Sequence, residues 1–295
     1  MTPSTSAIDF SLPFMPESLT PLFHTAGYQC LPAIQRLRYN QLNALYFNEQ
    51  IMFFERSLAR NILGRLLAMP LPAQQRQGLQ QFLLEEEQHS AMFAHLNRAC
   101  APAWYAQREF HFIRVPWPAA RLLALLSKQP TWFPMFFWLM HLQEERAIFF
   151  GQAFLKAADQ FEPHFVAVQR KHLADEIGHV RWDEYLLDRF WPQTAFWLRR
   201  VNAGLLGWMI AEYFSTPKRS ALRVLRTLMA EFPGSRELHL ELQSQLLGLQ
   251  SNPAYLRALY SFEIVPDTWQ RFQRWPEFDL LARVLPHYAG ARTLA

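Results

Sequence analysis

Histidine and glutamate side chains spaced three or four residues apart can grip a metal ion, because on a helix of ~3.6 residues per turn such positions share one face. The sequence carries such a run at His172-Leu173-Ala174-Asp175-Glu176-Ile177-Gly178-His179. His172, Glu176 and His179 stand at i, i+4 and i+7, so two imidazoles and a carboxylate point the same way. A second Glu-x-x-His, Glu86 to His89, lies 90 residues upstream. Lone glutamates complete the pattern: Glu55 precedes Glu86 by 31 residues and Glu145 precedes Glu176 by 31. Four-helix sites for two iron or manganese ions take a glutamate from each of two helices and Glu-x-x-His from each of the other two. The repeat therefore predicts a binuclear metal site built from Glu55, Glu86, His89, Glu145, His172, Glu176 and His179.

Charge supports that reading. Two divalent cations would balance four carboxylates in a low-dielectric interior, whereas the carboxylates alone could not all stay ionised so close together. Carboxylate and imidazole donors without thiolate favour iron or manganese over zinc or copper. His172 breaks the repeat, since the residue 90 positions earlier is Phe82; one ion would have a nitrogen donor that the other lacks. Neighbouring residues have plainer roles. Glu144 would break the 31-residue register, and Glu49 is a weaker alternative still. Glu85 and Glu87 read as a solvated face or as outer partners of the ligands. Asp183, one turn after His179, is placed to accept that ring's free N–H, and His141, one turn before Glu145, reads as a buried core histidine.

These residues need four rods. Residues 33 to 68 have no proline and a helical apolar period, and Met69-Pro70-Leu71-Pro72 ends them. A second helix over 73–99 follows so closely that the two must be antiparallel neighbours, with Glu55 and Glu86 at similar depth. Residues 100–131, with Pro102, Pro116, Pro118 and Pro130, read as a long crossover holding one short helix near 119–127. Helices over 131–160 and 164–190 carry the other half-site. The fold expected is all-α: a ferritin-like four-helix bundle with a long crossover between helices 2 and 3 and additional C-terminal helices. Residues 1–30, with four prolines, are expected as an extended N-terminal arm, 33–190 as the metal-binding bundle, and 191–295 as a C-terminal helical extension packed on it as one domain.

Composition excludes other classes. With 51% hydrophobic and 18% charged residues, the 295-residue chain can bury a large core. Its net charge of +4 comes without a basic run, which argues against nucleic acid or anionic lipid as partner. The two cysteines, Cys30 and Cys100, form no Cys-x-x-Cys, and the N-terminal residues lack the pattern of a signal peptide. No apolar window approaches the ~20 residues that span a bilayer, so a soluble cytoplasmic protein is expected. No Gly-x-Gly-x-x-Gly turn or cysteine cluster offers a built-in electron carrier.

Lone Glu, Glu-x-x-His, lone Glu, then His-x-x-x-Glu-x-x-His resembles the p-aminobenzoate N-oxygenase family of ferritin-like di-iron enzymes over roughly residues 40–190, the third histidine being that family's mark. The resemblance implies that the seven residues are iron ligands, with Glu86 and Glu176 bridging. It implies a cofactor of two Fe ions that activates O2 as co-substrate and N-oxygenates an amine, an arylamine or an amino-acid-derived one, in a biosynthetic pathway. Whether the amine is free or carrier-bound, and whether the chain forms a homodimer, stay open. Electrons would come from an external reductase or ferredoxin. Two other readings use the same ligands: a di-iron C–H hydroxylase or desaturase, and a non-catalytic ferritin-like iron-binding protein.

Overall fold

In the computed structural model the described residues, 7–215, 218–234 and 236–285, are helix or loop with no strand among them. Helix α1 (Ala33–Phe54) runs through a single π turn (Glu55–Ala59) into α2 (Arg60–Leu67), so the two form one rod. Pro70 and Pro72 then remove backbone donors and turn the chain into α3 (Ala73–Cys100). The crossover holds one turn at Pro102–Tyr105 and helix α4 (Trp117–Leu126) before α5 (Met135–Lys156). Helix α6 (Pro163–Phe190) starts with proline at its first position, and the Glu162 carboxylate caps it by accepting the His164 and Phe165 N–H groups. Helices α5 and α6 pack along their length, α1 lies on α3, and α3 lies on α6. This is a ferritin-like four-helix bundle with one long crossover.

The rods approach closely where small residues permit it. A methyl group added at Gly78 of α3 would come within 1.9 Å of the Trp182 ring on α6, so only glycine lets these two helices meet. Beyond the bundle, α7 (Phe196–Met209) ends in a second π turn (Ile210–Ser215). Helix α8 (Lys218–Glu231) packs on α1, and α9 (Arg236–Gly248), α10 (Pro253–Tyr260) and α11 (Pro266–Phe272) follow, α11 lying on α5. A 3-10 stretch at Pro276–Arg283 returns to α7. Trp138, Trp191, Phe272 and Phe278 join these pieces in one aromatic cluster.

The N-terminal arm, expected to be extended rather than helical, contains short helical turns. It coils into 3-10 turns at Glu17–Leu19 and Pro21–His24 and one α turn at Ala26–Gln29. Proline is tolerated just before or at the first position of a helical turn, and Pro16 and Pro21 sit in those places. Asn40 pins the arm by accepting the Phe14 and Met15 N–H groups, and buried Phe14 stacks on Phe165. The first six residues of the arm and the last ten of the expected tail lie outside the described residues. No helix among the described residues is long and apolar enough to cross a membrane.

Candidate metal centre

The four rods bring Glu55, Glu86, His89, Glu144, His172, Glu176 and His179 into one buried cluster. Their donor atoms form three overlapping groups, Glu55 with His89 and His172, Glu86 with His89 and His179, and Glu144 with Glu176 and His179, each within 4.8 Å. His172 Nε2 lies 2.9 Å from Glu176 Oε1 and 3.2 Å from Glu55 Oε1. His179 Nδ1 is 3.1 Å from Glu86 Oε1 and 3.7 Å from Glu176 Oε2, though not aligned for a hydrogen bond. His89 Nδ1 is 3.6 Å from Glu176 Oε1.

Glu145 is not among them. Sequence register selects it, but its carboxylate turns away from the cluster to accept the Asp267 and Thr268 N–H groups at 2.9 and 2.8 Å and the Thr268 hydroxyl at 2.5 Å. Glu144 takes the place in the cluster that register gives to Glu145. The connection between α5 and α6, residues 157–162, is one residue longer than the one between α2 and α3, residues 68–72. Glu144 and Glu55 each lie 12 residues before the last residue of their helix, and Glu176 and Glu86 each lie 13 residues after the first residue of theirs. The extra turn residue displaces the register by one.

The two Glu-x-x-His histidines are held alike. His89 Nε2 is 3.0 Å from Asp175 Oδ2, and His179 Nε2 is 3.1 Å from Glu85 Oε2, so each ring presents Nδ1 inward. In both cases the outer acid directly precedes the glutamate of the opposite Glu-x-x-His motif. An outer carboxylate of this kind fixes the tautomer and aim of a metal-binding imidazole. The signal is in the sequence as Glu85-Glu86 and Asp175-Glu176, 90 residues apart. Asp183, expected to hold His179, instead lies fully buried with no hydrogen-bond partner for its carboxylate. His141 is buried and reaches Asp267 Oδ2 at 2.9 Å. Glu49 anchors the crossover by accepting from the Tyr105 hydroxyl and the backbone N–H groups of His111, Phe112 and Ile113.

The electrostatics are those of crowded carboxylates. Burial and the neighbouring Glu86 push the Glu55 carboxyl up to about 8, and burial with Glu176 pushes Glu144 well above its usual range. Burial opposes charge on His172, but Glu176 and Glu55 outweigh it and hold the ring up at about 10. Glu176 and Glu86 likewise hold His179 at about 11 against burial. His89 goes the other way: burial, with the charge on His172, lowers it to about 4. Both oxygens of Glu86 and Glu176, one of Glu144, and Nδ1 of His89 and of His179 are buried without hydrogen-bond partners. Orphaned donors of this kind, all facing one another, fit cations that would satisfy them together.

Two openings flank the cluster. A cavity of about 30 Å³ is walled by Phe47, Phe54, Phe150 and Phe214 and reaches Glu55, Glu144 and His172. On the other side a polar cavity of about 230 Å³ lies against Glu55, Glu86 and Ser90, whose hydroxyl donates to Glu55 Oε2 at 2.8 Å. Glu55 begins the π turn, a feature that periodicity does not reveal and that often marks functional positions.

A protein-family model described as p-aminobenzoate N-oxygenase AurF matches residues 2–245 of the chain. All seven clustered side chains lie within that match, and the described residues from 246 to 285 lie beyond it. A search of curated proteins finds no match.

Proposed function

The chain belongs to the p-aminobenzoate N-oxygenase family, and from that premise we propose that it is a di-iron oxygenase that adds oxygen from O2 to an amine nitrogen. The observation that carries this reading is the convergence of buried, unpartnered carboxylate and imidazole atoms from four rods. Glu55, Glu86, His89, Glu144, His172, Glu176 and His179 would hold the two ions. Bound iron would supply the activation of O2 that amine oxygenation requires. The first step balances as one amine, one O2, two electrons and two protons giving one hydroxylamine and one water, and an external reductase or ferredoxin would supply the electrons.

The chain's own residues set the conditions. Phe47, Phe54, Phe150 and Phe214 give the approach to Glu144 and His172 an apolar wall. Arg146, nine-tenths buried in the same wall, has no carboxylate paired with it among the described residues. Its Nε has no hydrogen-bond partner, its Nη1 donates to the neutral Gln143 amide oxygen, and its guanidinium carbon lies 4.6 Å and 5.1 Å from the centres of the Phe150 and Tyr260 rings. A guanidinium keeps its charge at any ordinary pH, and a buried cation calls for an anion. An amine substrate that also carries a carboxylate would provide it. Arg146→Met should then raise KM for carboxylate-bearing amines by about tenfold, the scale of one charged hydrogen bond, and leave KM for neutral amines little changed.

The decisive experiment is metal analysis followed by turnover. The purified chain should hold two iron ions and, once reduced, convert aryl or amino-acid-derived amines to hydroxylamine or nitro products. Oxygen uptake without any amine oxidation would overturn N-oxygenation in favour of C–H hydroxylation or desaturation, and iron uptake without turnover would point to iron binding alone.

A further inference from the structure

Three consecutive side chains of α5 leave the helix towards three different places. Glu144 enters the cluster, Glu145 reaches α11, and Arg146 packs over Tyr260 of α10. The two receiving helices, residues 253–272, lie beyond the stretch that the family model matches. We propose that this segment is a positioning device for the metal centre: it fixes the roll of α5 so that Glu144, and not Glu145, faces the ions, with Glu145 and Thr268 as its positioning residues. The inference rests on the metal-binding reading above.

The contacts are specific. Pro266 opens α11, and the helix has no capping side chain of its own, so its first N–H groups need an outside acceptor. Glu145 accepts from Asp267 and Thr268 N–H and from the Thr268 hydroxyl. One turn earlier on α5, His141 Nε2 lies 2.9 Å from Asp267 Oδ2. Arg271 pairs with Asp267 and reaches Asp188 at 2.9 Å and Glu184 at 3.4 Å on α6. Helix α11 thus staples α5 to α6 outside the cluster.

Adjacent residues on a helix point ~100° apart, so Glu144 and Glu145 cannot both face the ions. Rolling α5 to bring Glu145 inward would strip the acceptor from two N–H groups and a hydroxyl at the start of α11.

The test is anaerobic titration of the full chain with cobalt(II), whose visible bands report coordination at each site. The unaltered chain should take up two equivalents. Glu145→Ala and Thr268→Val should each weaken one of the two cobalt sites by about tenfold, the scale of a lost charged hydrogen bond, and shift its bands, leaving the other site unchanged. Thr268→Ser, which keeps the hydroxyl, should restore both. Circular dichroism checks folding, and if Glu145→Ala does not fold, the Val and Ser pair at position 268 decides. The proposal is overturned if the folded variants bind two cobalt ions with unaltered affinity and spectra, or if Thr268→Ser is as impaired as Thr268→Val. An unaltered chain that binds no cobalt would be a different failure, removing the metal-site reading itself and this inference with it.

Discussion

The two halves of the cluster are built from hairpins of the same design, and they differ in how each lone glutamate is steadied. In the first half Glu55 begins a π turn and takes a hydrogen bond from Ser90, one turn after Glu86 on the facing rod. In the second half the position equivalent to Ser90 is Val180, which has no donor to offer, and the extra nitrogen of His172 stands where the first half has Phe82. There the lone glutamate is steadied indirectly, through its neighbour Glu145 and the helix that Glu145 caps. A repeated metal motif therefore need not be supported by repeated scaffolding: the donors match while their supports do not.

The comparison can be broken most severely at the donors themselves. Glu144→Gln removes a carboxylate from the cluster and should lower bound iron from two ions to one and turnover by more than about a hundredfold, an effect as large as that of Glu55→Gln in the other half. Metal analysis and product assays would check both. Next in size is the packing that sets the distance between motif helices. Gly78→Ala drives a methyl into the rigid Trp182 ring and should cost about 3 kcal/mol of stability, whereas Gly151→Ala, which meets Leu173 Cβ at 3.2 Å, should cost about 1 kcal/mol; urea unfolding measures each.

A smaller effect is expected at Ser90. Ser90→Ala leaves a buried Glu55 oxygen without its donor and should slow turnover by about fivefold with two ions still bound, since ~1 kcal/mol is typical of one hydrogen bond. Smallest is the contribution of Asp267, held at about 2 by His141 and Arg271, below its ordinary value of 3.8. A depressed acid stabilises the fold above its ordinary value and loses that contribution as pH falls through the depressed one. The stability gap between the unaltered chain and Asp267→Asn should therefore be full above pH 4 and close towards pH 2, as denaturation curves at stepped pH would show.

Much of this architecture is legible in the order of the amino acids alone. The bundle order, the long crossover and six of the seven clustered side chains follow from helical period, proline placement and the 90-residue repeat. The seventh does not, because spacing counted along the chain treats the two turns as equal, and the turn at 157–162 has one residue more than that at 68–72. Glu145 and Glu144 are chemically identical, so only three-dimensional contacts separate them. The partner of His179 escapes a reading along the chain for a related reason. Asp183 sits on the same helix one turn away and looks suitable, but Glu85 reaches the ring from the opposite helix. The π turn at Glu55 is invisible to a pattern that assumes ~3.6 residues per turn throughout.

The reciprocal grip on the imidazoles has a mechanical consequence. Asp175 of α6 holds His89 of α3, and Glu85 of α3 holds His179 of α6, so each rod carries the handle for the other's ring. Sliding either rod along its axis would swivel both rings at once. The aim of the nitrogen lone pairs is thus a gauge of interhelical alignment, and strain applied anywhere along that seam would register as a paired change at both rings.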